Sequence, residues 1–462
     1  MIMEKKKKYI SIFLVVVFAG LLPSSLYAQE ASLDKAEAYI KSKIESGSLT
    51  GISISYLYGD GRVRELNLGT LGPEKVIGIT ANTIFEIGSI SKTFTTTFLA
   101  IMMQETEYSL NTTIDEFLPD SLNLPSFEGE KITLGHLATH TSGLPRIPFN
   151  FSPDNPLDPY ADYKIEDMYS FLEKYELKNS PGSSFAYSNI GMGLLGHLFE
   201  LHHNSTYEEL VKNFIAKPLA MENTGLTVAA ENRDRFSEPY NYGSESSYWH
   251  FRTMEGAGAL RSTGDDMLQY LKAQMGFIGA DLQEAINTTH TVQFDTGEGL
   301  IDDIGLGWFY STQHDTLRWH NGGTGGFKSF MGVNKEKGIG VVVLANGRTD
   351  VPDEVGLYLL DQKHSLPEVQ QDIVLSDEVL KKYTGSYSLS PAFSIDITLK
   401  NGQLFAQATG QQKLPIFPKS EHLFYYKVVD AELEFLSNEE GKVDQIKLYQ
   451  GGREIIGNKL ED

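Results

Sequence analysis

The sequence predicts a mixed α/β fold of the α+β kind: an antiparallel sheet with an inserted helical region, followed by a small antiparallel β barrel or sheet. Three observations predict it. Strand-like segments fall near both ends of residues 29–365, at 51–69 and again across 305–345, so the two ends meet in one sheet. Between them the patterns are largely helical, interrupted by Pro- and Gly-rich loops. From about Leu366 short alternating runs separated by turn residues take over, the spacing of a small sheet or barrel.

The chain has 462 residues, too many for one core, and divides into a signal segment (1–28), a main domain (29–365) and a small β-rich domain (366–462). With 41% hydrophobic and 22% charged residues it has the makeup of a globular protein rather than a disordered or fibrous one. A net charge of −22 argues against nucleic acid or an anionic membrane as a partner. The absence of cysteine excludes disulfides, thiolate nucleophiles, Cys-ligated metal and a lipidated cysteine.

Each element has its own signal. Lys5 to Lys8, an apolar run to Leu22 and small residues before Ala28 form an export signal with cleavage before Gln29. The run is short for a span of ~20 residues, so no lasting membrane anchor is expected, and the periplasm is the predicted location, with secretion as the alternative. Leu33, Ala36, Ile40 and Ile44 share one face of a helix over 32–46. Gly59-Asp60-Gly61 joins a hairpin of 51–58 and 62–69. An apolar helix is predicted over 83–103, with Ile90, Phe94, Phe98 and Ile101 in step. Strands follow at 305–310, 317–319, 327–333 and 340–345, and a closing helix at 355–363. Ser376 is the predicted N-cap of a short helix ahead of the terminal strands.

The chemistry concentrates in three places. Ser89 and Lys92 lie three apart at the start of the apolar helix, so their side chains share a face. A serine hydroxyl needs a neighbour to take its proton, and a desolvated lysine near a helix N-terminus has its pKa lowered toward neutrality. A bare Ser-x-x-Lys also arises by chance in a chain this long, so the pair carries little weight alone. Tyr187-Ser188-Asn189 follows the turn Pro181-Gly182-Ser183-Ser184, which places a proton-relaying phenol and a substrate-binding amide at a loop entering a helix. Trp319 to Phe327 contains Gly322, Gly323, Gly325 and Gly326. That glycine density lets a substrate backbone lie against a strand and offers an N–H to an oxyanion. A phosphate loop is the competing reading, but Phe327 separates Lys328-Ser329 from the glycines, and such a loop needs Gly-Lys-Ser or Gly-Lys-Thr.

Together these residues resemble the serine β-lactamases of class C and the related DD-peptidases and esterases. Phe85 to Lys92 is similar to the class C active-site signature at every position, and Ser-x-x-Lys, Tyr-x-Asn and a cationic residue with x-Gly follow in the family's order. His136 to Leu144, Pro218 to Met221, Gly258 with Ser262, Thr263 and Asp266, and Gly307-Trp308 add to the likeness. The resemblance covers about residues 31–364. It implies a β-lactamase/transpeptidase-like fold, Ser89 as the acylated nucleophile, Lys92 as its proton acceptor and Tyr187 as general base or acid. It further implies Asn189, His320, Gly322 and Gly323 as substrate-binding residues, with an oxyanion hole from the N–H groups of Ser89 and Gly323, and no cofactor or metal. The tail resembles a lipocalin-like accessory domain. His320 stands where many class C enzymes have lysine. Histidine with x-Gly, like Tyr-Ser-Asn, is more typical of the peptidase and esterase branches, and Asn321 replaces the usual hydroxyl residue.

The substrate implied is a small molecule, a β-lactam first, with a D-amino-acid peptide or an ester as the alternatives. A zinc enzyme is disfavoured because Leu137 stands between His136 and His140 where a zincin needs glutamate, and His202 and His203 have no partner pattern. No Gly-x-Ser-x-Gly elbow is present. A binding protein that has lost its chemistry is the reading from another class, and the presence of Ser89, Lys92, Tyr187 and Asn189 together weighs against it.

Overall fold

The computed structural model describes residues 24–460 apart from 242–243, 298, 312–316, 369–372, 374, 392, 401, 412, 427–430 and 439. The basic and apolar parts of the export signal, Lys5 to Leu22, lie outside the described residues. Helix α1 (Ser24–Glu45) begins earlier than the predicted 32–46 and runs through Ala28. Strands β1 (Gly51–Leu57) and β2 (Val63–Gly69) pair antiparallel as the Gly-Asp-Gly turn requires. Next come β3 (Ile84–Glu86), helix α2 (Ser91–Glu105) and helix α3 (Asn189–His203). Strand β4 (Arg261–Thr263) pairs with β3 and leads into α4 (Gly264–Gln274).

The remaining strands of the main sheet are β5 (Phe294–Asp295), β6 (Asp303–Ile304), β7 (Phe309–Ser311), β8 (Leu317–Gly323), β9 (Lys328–Asn334) and β10 (Ile339–Asn346). The sheet order is β2-β1-β10-β9-β8-β7-β6-β5, so the first hairpin joins the last strand across the β1–β10 pair. This is the sheet built from two ends that the sequence predicts. Alternation decides its layers. Ile52, Ile54, Tyr56, Val341 and Val343 face a core with Leu33, Ala36 and Ile40 of α1 and with Val355 and Leu359 of α5 (Val351–Leu360). Val342 and Leu344 face the opposite core, which holds Phe94 and Phe98 of α2, Leu194 and Leu198 of α3, and Met267 and Leu271 of α4.

One predicted element is corrected. The helix expected over 83–103 begins only at Ser91, because Ile84 to Glu86 form a strand against β4 and Gly88 at φ +51° turns the chain between them. Ser89 therefore sits on a short 3₁₀ turn (Gly88–Ile90) in front of the helix rather than inside it.

The tail is an eight-stranded closed barrel with its strands in chain order, from β11 (Gly385–Ser390) to β18 (Arg453–Lys459), and these two strands pair to close it. Tyr387, Ile397, Leu404, Phe424, Leu433, Phe435 and Ile446 form its buried core. Eight strands enclose an interior that side chains alone can fill.

Candidate active site

The site is assembled where the 3₁₀ turn, the start of α2, the start of α3 and the end of β8 converge. Glu86 hands the chain from β3 to the turn, and its buried carboxylate accepts from Arg261 (3.2 Å) and from the Trp249 backbone N–H (3.0 Å). Ser91 Oγ donates to Gly88 O (2.7 Å) and accepts from Leu260 N (3.1 Å), which fixes the turn from below. Glycine is required at 88 twice over: its φ is positive, and a Cβ would lie 2.6 Å from Gly323 N. A Cβ on Gly322 would likewise collide with Ile87 O. Gly88 in the turn and Gly322 in β8 thus let the third motif lie directly against the turn that carries Ser89.

Lys92 Nζ lies 2.9 Å from Ser89 Oγ and donates to Ala257 O at 2.5 Å. The lysine is fully buried. Burial, and then the positive charge of Arg146, hold its pKa well below the ordinary value. A neutral Lys92 keeps an N–H for Ala257 O and turns a lone pair to the Ser89 hydroxyl.

Tyr187 lies over the same pair, with Lys92 Nζ 4.9 Å from its ring centroid and the Arg146 guanidinium carbon 4.8 Å from it. Burial raises its pKa, while the Ser89 hydroxyl and Arg146 oppose that rise. The turn carrying Tyr187 is knitted to residues 140–146: Ser188 N donates to His140 Nδ1 (3.1 Å), Ser188 Oγ to Pro145 O (2.8 Å) and Asn189 N to Arg146 O (3.0 Å). Ser188 Oγ also caps α3 by accepting from Gly191 N. Asn189 Nδ2 donates to the Tyr160 hydroxyl (3.2 Å), and its buried Oδ1 has no partner among the described residues.

The cleft has two lobes that share Ser89, Arg146, Trp249 and Gly323. The smaller, about 190 Å³, lies on the Asn189 side against Tyr160, Trp249 and Phe251. The larger, about 500 Å³, lies on the Tyr187 side and reaches Phe309, Asn321, Gly322, Lys328 and Arg348. No Asp or Glu lines either lobe among the described residues, although the chain as a whole is strongly acidic.

Of the residues singled out in the sequence, Ser89, Lys92, Tyr187, Asn189, Gly322 and Gly323 come together here. His320 does not take the place expected of it. It is fully buried, stacks on Phe309 (4.5 Å between centroids) and lines neither lobe. Its Nδ1 meets the Asn321 carbonyl at 2.6 Å. Burial, and then Lys92 whenever it is protonated, push its pKa down to about 3, so the ring is neutral at physiological pH and supplies no cation to a substrate. The cations that do face the cleft went unnoticed in the sequence: Arg146, just beyond the Ser-Gly-Leu-Pro segment, and Arg348, after β10. Lys328, weighed in the sequence only as part of a phosphate loop, also faces the cleft and is ion-paired with Asp353 (2.9 Å). His136 and His140 serve the backbone, accepting from Thr133 N and Ser188 N.

A serine beside a buried amine, under a tyrosine and facing a glycine-rich strand, is an arrangement that suits a serine hydrolase without a histidine triad. Residues 36–365 match the Beta-lactamase family, and the chain belongs to it. Residues 373–459 match a family described only as a domain of unknown function, DUF3471, and that description does not identify a lipocalin. Penicillin-binding protein 4* of Bacillus subtilis (strain 168) is 25% identical over 407 residues, 81% of this chain and 87% of that protein. A beta-lactamase of Pseudomonas fluorescens is 26% identical over 348 residues (67% and 92%). The D-alanyl-D-alanine-carboxypeptidase/endopeptidase AmpH of Escherichia coli (strain K12) is 25% identical over 354 residues (72% and 90%). A solved class C beta-lactamase superposes with a TM-score of 0.63 at 24% identity, covering 72% of this chain and 96% of that one, so the main domain has the β-lactamase/transpeptidase fold.

Proposed function

We propose that this chain hydrolyses carboxylate-bearing β-lactams through an acyl-enzyme on Ser89. The observation that carries the reading is the 2.9 Å approach of a buried Lys92 amine, its pKa held well below the ordinary value by desolvation, to Ser89 Oγ. Lys92 takes the serine proton as Oγ attacks the lactam carbonyl. The C–N bond then breaks, and the nitrogen receives a proton from the Tyr187 hydroxyl, which Lys92 replenishes. The N–H groups of Ser89 and Gly323 face the oxyanion. Water next adds to the ester, giving its proton to the Tyr187–Lys92 pair, and Ser89 leaves reprotonated. The cationic, carboxylate-free cleft supports an anionic substrate.

D-alanyl-D-alanine carboxypeptidase or D-aminopeptidase action on cell-wall peptides is the second reading, favoured by one observation: the neutral, buried His320 leaves the third motif without a cation. A carboxylester hydrolase shares the same first step, and a non-catalytic binding role ranks last. Mixing the protein with a chromogenic cephalosporin separates the two leading readings. Continuous, modest turnover supports the lactamase. A burst of one equivalent that then stalls, with release of D-alanine from a D-Ala-D-Ala peptide, would replace it with the peptidase.

Residues 1–28 are proposed as an export signal that delivers residues 29–462 to the periplasm, with secretion as the alternative. No helix among the described residues is long and apolar enough to cross a membrane. N-terminal sequencing of the exported protein should begin at Gln29, and an intact N-terminus would contradict cleavage. Residues 366–462 are proposed as an accessory domain. Ser89 acylation should survive their removal, and its loss from a protein that stays folded would contradict that role.

A further inference from the structure

The acid–base pair of this site is bordered by one fixed charge. The geometry points to Arg146 as an electrostatic positioning residue: its guanidinium holds the Tyr187 ring and supplies the permanent positive charge that the buried His320 does not. The inference rests on the acyl-enzyme reading of Ser89.

Three observations carry it. Arg146 and Lys92 lie over the same ring, 4.8 Å and 4.9 Å from its centroid, so the arginine is an immediate neighbour of Tyr187, and its charge reaches Lys92, whose proton affinity it lowers. Its guanidinium has no ion-pair or hydrogen-bond partner among the described residues, and no carboxylate lines the cleft to neutralise it. Its backbone is pinned from both directions: Arg146 O accepts from Asn189 N, and the preceding Pro145 O accepts from Ser188 Oγ. The side chain therefore starts from a fixed point against the Tyr187 turn while its head stays exposed to solvent.

The other groups facing the relay do not carry a fixed charge. His140, 4.4 Å from the Tyr187 ring, and His320, 6.3 Å from it, are both buried with lowered pKa values. Tyr160 is an un-ionised phenol. Ala257 contributes only its carbonyl. Glu255, two residues before it, faces Glu200 and Glu208 instead. A guanidinium stays protonated at any working pH, so its influence does not titrate away. A positive charge over a phenol stabilises the developing phenolate and opposes protonation of a second cation beside it. Both effects keep Lys92 available as an amine and Tyr187 able to give up its proton.

The test is the pH profile of the single-turnover acylation rate, measured from pH 5 to 9 with a slow β-lactam and read as intact mass on full-length protein. Wild type, Arg146→Gln, Arg146→Met and Arg146→Lys are compared, each after its melting curve shows a folded protein. Removing the charge raises the affinity of Lys92 for a proton, so the acid limb of Gln and Met variants moves to higher pH. Their rates fall by about threefold to tenfold near pH 6 and converge on wild type at the alkaline end. Arg146→Lys retains the charge and restores the limb. An unmoved limb, or equal loss at every pH in all three variants, would reduce Arg146 to a packing residue and overturn the inference. Absence of any adduct on wild-type Ser89 would instead refute the acyl-enzyme reading on which it stands.

Discussion

Ser89 Oγ and Lys92 Nζ are 2.9 Å apart on adjoining turns, and the lysine is sealed from solvent with Ala257 O as its other partner. Such an amine costs the fold stability. Its folded pKa is depressed, so below the unfolded value of ~10.4 the unfolded chain holds a proton that the native site has released. Stability therefore rises with pH from the lowered pKa toward the unfolded one. Lys92→Met should slow acylation by about 10²–10⁴-fold yet raise stability near pH 7 by about 1–2 kcal/mol, with a flatter pH dependence. Thermal melts across pH 6–9 check this, and a less stable variant would mean that the amine is charged and compensated.

Tyr187→Phe keeps the ring that Lys92 and Arg146 lie over and deletes only the hydroxyl. The turnover rate should fall by about 10²–10⁴-fold. Combining it with Lys92→Met should cost scarcely more than either change alone, because the two form one relay. Steady-state kinetics of the three variants decides the matter. Near wild-type turnover in Tyr187→Phe would move the proton transfer elsewhere.

Substrate charge is read by arginine rather than histidine on this account. Affinity for carboxylate-bearing substrates should stay level from pH 5 to 8, since His320 is already neutral there and guanidinium groups do not titrate. Arg348→Ala should raise KM for an anionic substrate by about 3–10-fold, less at high salt, and leave neutral esters unchanged. His320→Lys would place a second amine beside Lys92 in a site without a counterion and should destabilise the protein by about 3 kcal/mol. A KM that climbs through pH 6–7 would return the anion-binding role to His320.

Much of this was legible in the sequence for physical reasons. The ordered motifs around Ser89, Tyr187 and Gly322 are local, and each owes its shape to residues within a few positions, such as the Ser188 cap and the glycines of β8. The two-ended sheet was visible in its β-branched runs. The helix start was not, because Ile87, three residues before Ile90, carries the apolar periodicity upstream, and only the pairing of Ile84–Glu86 with β4 shows the stretch before it to be a strand. Nor was the burial of His320, which depends on Phe309 from another strand. Arg146 gave no signal because its role comes from the fold bringing residues 140–146 against the Tyr187 turn. The barrel's closure, a pairing of β11 with β18, is likewise a long-range fact.

Covalent chemistry at Ser89 leaves an adduct that can be trapped. Incubation with a slowly hydrolysed β-lactam or a boronic acid, followed by intact-mass and peptide mass spectrometry, should show one equivalent added to the peptide containing Ser89 and none in Ser89→Ala. An adduct on another residue, or one that persists in Ser89→Ala, would contradict the account.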